Sequence, residues 1–419
     1  MRGLGILLII SGVVASLVQS GEATPKSVGL SSNDGRKFVQ SPSQITNNIT
    51  NWTVKVPSVV YDNGGKDTRE LIKDFLRDAQ SIQHLKANDN LLTPCRECMR
   101  DKNYTHTWTF DDWENHQERS LKRYWNHMRS LPFSTTAQGV MPAVIAITIY
   151  SLAVVAVMQS DIPVISSLVH KVSLSLQAMS MFVAPMALLL TLRTNRAMDR
   201  LLEARRSWGM MIRSVRTLSG LVSAHILPRH PQFALIIIRY LSVFPWTFKA
   251  LLRRESDMPV LETLLPPDEL QWILTTAHHP RAITCRIRQL LAIWLAHEPQ
   301  NSVLHLELEE RLCGLEQCIG ICNRIVTSPI PPTYTRHTSR VLCVYLSLLP
   351  LALSGMGLSP LATVITTAML TYIFAGIDEI GVEIEFPFLL LPLYDLAVGA
   401  QNNVISQVTM MQNMPLINL

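Results

Sequence analysis

Long stretches without a charged residue constrain this chain more than any other feature. Residues 130–160, 172–192 and 341–377 contain no Asp, Glu, Lys or Arg. A membrane-spanning helix needs about 20 apolar residues, so the third stretch is too long for a single crossing. Pro350 and Pro360, with two glycines between them, interrupt this stretch and predict two helices joined by a tight break. The predicted spans lie near residues 140–158, 173–192, 341–354 and 359–377.

The composition agrees with a membrane protein that also has polar parts. Of the 419 residues, 48% are hydrophobic and only 16% are charged, whereas soluble domains carry about 25% charged residues. This balance excludes a disordered or highly charged tail protein. The net charge of +5 is too small to indicate a nucleic-acid partner.

The amino-terminal residues have the composition of targeting segments. Arg2 precedes an apolar run over residues 4–18, and a small-residue cleavage site follows, so residues 1–20 predict a secretory signal peptide. Residues 21–58 are rich in Ser, Thr and Asn and poor in acids, which is typical of a disordered segment or a transit peptide. Two interpretations stay open: import into a plastid through the secretory route, or ordinary secretion with a flexible lumenal segment. N-glycosylation sequons begin at Asn48, Asn51 and Asn103.

The segment between the second and third spans carries most of the positive charge. Residues 193–340 contain 19 Lys or Arg against 12 Asp or Glu, a net charge of +7. By the positive-inside rule this segment lies in the cytosol or in the equivalent plastid stroma. Two crossings place residues 59–130, an extramembrane helical region, on the same side. A plastid destination reconciles this placement with the sequons, because the chain then meets the glycosylation machinery only in transit.

Residues 193–217 predict one continuous charged helix, in which Arg and acidic residues recur at helical spacing. Two interpretations are open: a solvated helix with many salt bridges, or an inner vestibule whose arginines concentrate anions. A group of acids after the fourth span either pairs with these arginines or binds a divalent cation. These acids are Asp378, Glu379, Glu383 and Glu385.

Neither the cysteines nor any sequence motif indicates a metal centre or an enzyme. Cys95 and Cys98 form a single C-x-x-C, and Cys318 and Cys322 lie four residues apart, on one helix face. Neither pair has a second pair or a His cluster at zinc spacing, which favours buried or unpaired thiols. The sequence also has no P-loop, zinc-protease or nucleophile-elbow motif, so we expect no enzymatic activity.

Four ordered blocks of sequence resemble the bestrophin family, and most nearly its plant, algal and bacterial branch. The blocks are Phe110–Trp113 with His116, Arg123 and Tyr124; Leu188–Asn195 with Asp199-Arg200, Glu203-Ala204-Arg205 and Trp208-Gly209; Arg324–Val326 with Pro329–Pro331 and Tyr334–Arg340; and Gly376–Gly381 with Ile384–Phe388. The resemblance extends over residues 108–412, and the predicted spans separate the blocks.

The resemblance implies an all-α membrane protein that assembles as a homopentamer around a single pore. Each subunit would contribute four membrane helices and a helical cytosolic or stromal body, with a channel domain over residues 131–412 and a short tail over residues 413–419. The pore would pass chloride or bicarbonate, and the remaining partner would be membrane lipid. The implied location is the plastid thylakoid membrane, with an endomembrane or the plasma membrane as alternatives. The alternative functions are a cation-selective relative and a non-conducting membrane scaffold.

In this family the second membrane helix forms a narrow neck at positions four residues apart, which the resemblance assigns to Gln177, Met181 and Pro185. Residues at this spacing share one helix face and would form stacked rings around a symmetry axis. The polar Gln177 and the mid-helix Pro185 depart from the family's bulky apolar pattern. We expect Met181 to face the pore and Met179 to pack inside the subunit. The resemblance assigns signature or vestibule roles to Arg193, Asn195, Asp199, Arg200, Glu203, Arg205 and Trp208.

Calcium regulation does not carry over from the resemblance. Animal members follow a Pro-Phe element with a run of acids that binds Ca²⁺, whereas here Phe386-Pro387-Phe388 is followed by Leu389, Leu390 and Leu391. We therefore expect no required cofactor and leave a calcium response open.

Overall fold

A computed structural model describes residues 68–85, 114, 116–117, 121–131, 134–159 and 176–413, which belong to a single unit, Lys66–Leu419. Several predicted features therefore lie outside the described residues: the signal peptide, the transit-like segment, the three sequons, Cys95, Cys98 and the tail from residue 414. All regular structure in the described ranges is helical, as the sequence predicts.

Thirteen α-helices form the described part of the chain. They are α1 (Thr68–Leu85), α2 (Leu121–Ser130), α3 (Thr135–Gln159), α4 (Leu176–Leu221), α5 (Pro231–Arg253), α6 (Met258–Leu264), α7 (Pro267–Thr275), α8 (His279–His297), α9 (Ser302–Thr327), α10 (Pro332–Gly355), α11 (Pro360–Glu385), α12 (Pro387–Leu390) and α13 (Leu393–Gln412). A π-helical turn, Val222–Ile226, extends α4, and a 3₁₀ turn, Pro299–Asn301, precedes α9.

Four described helices are long and apolar enough to cross a membrane: α3, α5, α10 and α11. Of these, α5 differs because 78% of its apolar window is buried inside the subunit, against 22% for α3 and 17% for α11. Its two charged side chains before the last turn are also paired, since Arg239 Nη2 lies 2.9 Å from Asp78 and Lys249 Nζ lies 2.8 Å from Asp257. We infer that α5 is the central helix of the body and not a membrane span.

Residues 176–192 of the second predicted span form the first part of α4, a helix of 46 residues that is not among those four, so this span stays a prediction. At a rise of 1.5 Å per residue this helix is about 70 Å long, more than twice the thickness of the hydrocarbon core. Its first turns are apolar, and Arg193 begins its charged part. The predicted continuous helix over residues 193–217 is confirmed, because α4 runs from Leu176 to Leu221 without a break.

The third and fourth spans meet at a tight break, within one residue of the predicted position. The break lies at Met356–Ser359, where Gly357 has a φ of 76°, a left-handed conformation that suits glycine. Ser359 then caps α11, because its Oγ accepts the N–H of Ala362 at 3.3 Å. Pro350 lies inside α10 and does not end it, since membrane helices tolerate the lost hydrogen bond.

The fourth span is longer than predicted, which changes the setting of the acidic group. α11 continues to Glu385, so all four acids lie within its last two turns instead of following the helix. Because the acids lie on α11 itself, their side chains point to defined faces of this helix, where neighbouring helices contact them.

Two hydrophobic clusters hold the subunit together. The body cluster includes Trp208, Trp246 and Trp294, each no more than 1% exposed, and Trp208 stacks on Phe248 with ring centroids 5.2 Å apart. A smaller cluster in the membrane part joins α3, α4 and α10 through residues such as Met179. The first turns of α4 are therefore packed on one face only.

Cys318 and Cys322 both lie in the body core on α9, so the prediction of buried thiols is confirmed for this pair. The Cys322 Sγ lies 3.4 Å from Ser207 Oγ of α4. Burial raises the pKa of both thiols, and it raises that of Cys322 to about 12. These cysteines serve packing between α4 and α9.

Candidate ion-conduction site

The three predicted neck residues lie on an uncovered face of α4. Gln177, Met181 and Pro185 are exposed, and the Met181 side chain is 76% exposed. Met179 and Met186 lie on the opposite face and are 1% exposed within the membrane cluster. Among the residues that the structure describes, none covers the face formed by Gln177, Met181 and Pro185.

Pro185 modifies the backbone of this segment. A proline inside a helix cannot donate to the carbonyl four residues before it, which here belongs to Met181. One turn after the proline, Tyr334 of α10 donates its hydroxyl to the Leu189 carbonyl at 2.9 Å. Tyr334 falls in a block that the resemblance identifies, but sequence reasoning assigned it no role, because a main-chain acceptor leaves no mark in the sequence.

Arg193 is 1% exposed and marks the end of the apolar part of α4. Its guanidinium forms an ion pair with Asp378, and its Nη2 lies 4.0 Å from the Glu385 carboxylate, both on α11. Ser339 of α10 donates to Asp378 at 3.3 Å. The structure therefore pairs this arginine with the acidic group and joins three membrane helices at one point.

The other two acids of α11 face α3. The Glu379 carboxylate lies against Gly139, where an added Cβ would be only 2.8 Å from Glu379 Oε1. Thr136 donates to Glu383 Oε2 at 3.5 Å. Within the described ranges no group of three or more His, Cys, Asp and Glu side chains is placed to hold a metal ion. All four acids thus contact neighbouring helices of the same subunit.

Beyond the membrane, α4 presents an exposed basic stripe to solvent. Five arginines of the stripe are exposed, and two polar signature residues, Asn195 and Asp199, are exposed beside them. The arginines are Arg196, Arg205, Arg206, Arg213 and Arg216. Positive charge therefore exceeds negative charge on the solvent-facing part of this helix.

The remaining signature residues have structural contacts. Glu203 forms an ion pair with Arg324 of α9, and Trp208 is fully buried against Phe248. Arg200 donates to main-chain carbonyls at the ends of α9 and α11. The signature thus divides into residues that hold α4 in place and residues that face solvent.

The described part of the chain is an all-helical membrane protein with four helices that are long and apolar enough to cross a membrane. The profile of a family described as "Bacterial/Fungal Bestrophin protein" matches residues 114–406. The chain belongs to the bestrophin family.

Proteins similar to this chain include channels of plants and bacteria. The "Voltage-dependent chloride channel 1, chloroplastic" of Arabidopsis thaliana is 30% identical over 309 residues, 71% of this chain and 72% of the relative. The "Voltage-dependent anion channel-forming protein sll1024" of Synechocystis is 28% identical over 225 residues, 52% of this chain and 72% of the relative. The crystal structure of a bestrophin homologue from Klebsiella pneumoniae has a TM-score of 0.58 at 23% identity, covering 65% of this chain and 98% of its own. This last likeness supports the fold alone.

Proposed function

We propose that this chain forms an anion channel whose pore is lined by the exposed face of α4, and that chloride or bicarbonate passes through it. The observation that carries the proposal is the order of the exposed surfaces along α4. An apolar collar at Met181 is followed, on the same helix, by exposed arginines. The names of the plant and cyanobacterial relatives, which describe chloride and anion channels, support the same function.

The two surfaces have different tasks in this proposal. The exposed arginines raise the local concentration of anions at the inner entrance. The apolar collar admits only ions that lose part of their hydration shell, because water occupies an apolar constriction reluctantly. We propose no catalytic group and no required cofactor for these steps.

The described residues of one subunit leave the neck face uncovered, so the proposal includes an oligomer. Identical subunits enclose a central pore only with cyclic symmetry, and the family resemblance favours five of them. Native mass spectrometry in detergent is expected to give a pentamer. A monomer or a dimer as the largest species would contradict this part of the proposal.

The proposed location is a plastid membrane, with the thylakoid membrane as the specific expectation. Relatives named as chloroplastic support it, together with the signal-like and transit-like composition of residues 1–58. The first 60 residues fused to a fluorescent protein are expected to direct it to the plastid of an algal host. Fluorescence confined to the endoplasmic reticulum or plasma membrane would contradict the location but not the channel.

A cation-selective pore is the second candidate, because α11 carries four acids near the inner end of the membrane part. A cation pore needs these acids to face the axis. Asp378 instead pairs with Arg193, and Glu379 and Glu383 contact α3. The observed contacts favour the anion channel.

Flux into proteoliposomes tests the proposal and its alternatives together. Vesicles that contain a halide-sensitive dye are expected to quench when chloride is added outside, and a pH-sensitive dye would report bicarbonate entry. Vesicles that pass thallium but not chloride would support a cation pore. Vesicles that pass none of these ions, although the protein is assembled, would support a scaffold.

A further inference from the structure

The guanidinium of Arg200 bonds three main-chain carbonyls from two different helix ends. On α4, Arg200 donates through Nη2 to Ile325 at 2.6 Å and through Nη1 to Ser328 at 2.7 Å, both at the end of α9. Its Nε donates to the carbonyl of Glu385, the last residue of α11, at 3.3 Å. One side chain therefore connects the candidate pore helix to a body helix and to the last membrane helix.

These acceptors suit an arginine for physical reasons. The last carbonyls of a helix have no donor within the helix, and they carry the negative end of its dipole. A guanidinium presents five N–H donors in a fixed planar fork, so it can bond several such carbonyls at once. A lysine ammonium is a point charge on a flexible stem and does not reproduce this geometry.

Glu385, at the end of α11, contacts α4 at a second position along that helix. Its carboxylate lies 4.0 Å from Nη2 of Arg193, while its carbonyl accepts from Arg200. The two arginines are seven residues apart, which is about 10 Å along the helix. The last turn of α11 is thus held against α4 at two points, both on the inner side of the neck.

The chain that follows α11 is held from the body by a second arginine. Arg253, at the end of α5, donates through Nε to the Phe388 carbonyl at 2.9 Å and through Nη2 to the Leu391 carbonyl at 2.8 Å. Its side chain is 8% exposed, so these bonds are shielded from water. The connection between α11 and α13 is therefore fixed to the body core next to the Arg200 contacts.

We infer that Arg200 is a positioning residue for conduction: it fixes α4 below Pro185, so that a movement of the body or of the end of α11 changes the orientation of the pore helix. This inference rests on the proposed function, because it assumes that α4 lines the pore. Arg200 directs its donors to carbonyls and is only partly exposed, unlike the arginines of the basic stripe. It should therefore control gating and leave ion selectivity unchanged.

Single-channel recording of Arg200→Ala in asymmetric chloride tests the inference. Open probability is expected to change on the order of tenfold. A charge-assisted hydrogen bond that forms in only one of the two states, open or closed, produces a factor of this size when it is removed. The reversal potential is expected to stay at the wild-type value. Millimolar guanidinium is expected to restore the wild-type open probability, whereas Arg200→Lys is not. Arg281→Ala, which removes an exposed arginine at the start of α8, is the matched control and should behave as wild type.

Wild-type open probability in an assembled Arg200→Ala channel would overturn the inference and leave the channel itself intact. A shifted reversal potential would also overturn it, because Arg200 would then act as a pore charge. If the wild type does not conduct, the proposed function fails, and hydrogen exchange decides the structural part separately. Amides in the last turns of α9 and α11 should exchange faster in Arg200→Ala than in Arg281→Ala, and equal exchange would show that Arg200 does not hold these helix ends.

Discussion

Met179 and Met181 lie two residues apart but on opposite faces of α4. Successive residues of a helix are rotated by about 100°, so these two side chains point about 200° apart. Met181 is 76% exposed, whereas Met179 is 1% exposed and packs with Met186 and Leu190. Substitutions at the two positions should therefore have different effects, although the residues are chemically identical.

Met181→Glu would place one carboxylate per subunit on the pore face. A chloride ion about 4 Å from one such charge is repelled by roughly 4 kcal/mol at an effective dielectric constant near 20. Since about 1.4 kcal/mol changes an equilibrium tenfold, chloride occupancy of the collar should fall by several hundredfold. Met181→Ala should instead widen and shorten the collar and raise the conductance without loss of anion selectivity.

Planar-bilayer recording measures this difference directly. In a tenfold chloride gradient, perfect anion and cation selectivity give reversal potentials of about 59 mV with opposite signs. The potential should change sign in Met181→Glu. In Met179→Ala it should stay unchanged, while thermal unfolding in detergent should show a loss of about 2–5 kcal/mol from the emptied core position. If Met179 variants alter selectivity and Met181 variants do not, the assigned pore face is wrong. If neither position matters, another helix lines the pore.

Three further predictions concern the contacts that hold α4 and the buried thiols. Arg193→Leu leaves the Asp378 carboxylate without its cation and should lower the free energy of unfolding by about 3–5 kcal/mol. Adding Asp378→Leu should recover most of this loss, and a double variant no more stable than the single one would contradict the pairing. Trp208→Ala should destabilise the body by about 3–5 kcal/mol, and an unchanged melting temperature would refute its role in the core. Burial raises the pKa of Cys322 to about 12, so little thiolate forms near neutral pH, and maleimide should label the exposed Cys313 first. Equal labelling rates for the two cysteines, measured by mass spectrometry, would exclude a packed core position for Cys322.

The sequence predicts the membrane part well where a long stretch lacks charge. Residues 130–160 and 341–377 give α3 and the apolar parts of α10 and α11 as spans, because lipid excludes charged side chains from the part of a helix that it surrounds. Apolar length alone does not separate α5 from these helices. Its burial and the partners of Arg239 and Lys249 distinguish it, and those partners come from other parts of the chain.

For the candidate site, too, the sequence predicts local features but not the contacts between distant parts of the chain. The helical spacing of Gln177, Met181 and Pro185 was sufficient to place them on one face, since α-helix periodicity is local. The ion pair of Arg193 with Asp378 joins residues 185 positions apart, and the sequence left its partner open. The contacts of Arg200 were not foreseen at all, because its acceptors are main-chain carbonyls that every residue possesses.

The reversal potential of the purified wild-type protein tests the central claim most directly. The protein is reconstituted into a planar bilayer with potassium chloride at different concentrations on the two sides, and the current is recorded as the voltage is varied. An anion channel predicts a reversal potential close to the equilibrium potential of chloride, and replacement of chloride by bicarbonate should leave a measurable current. A reversal potential close to that of potassium, or no current from assembled protein, would contradict the account.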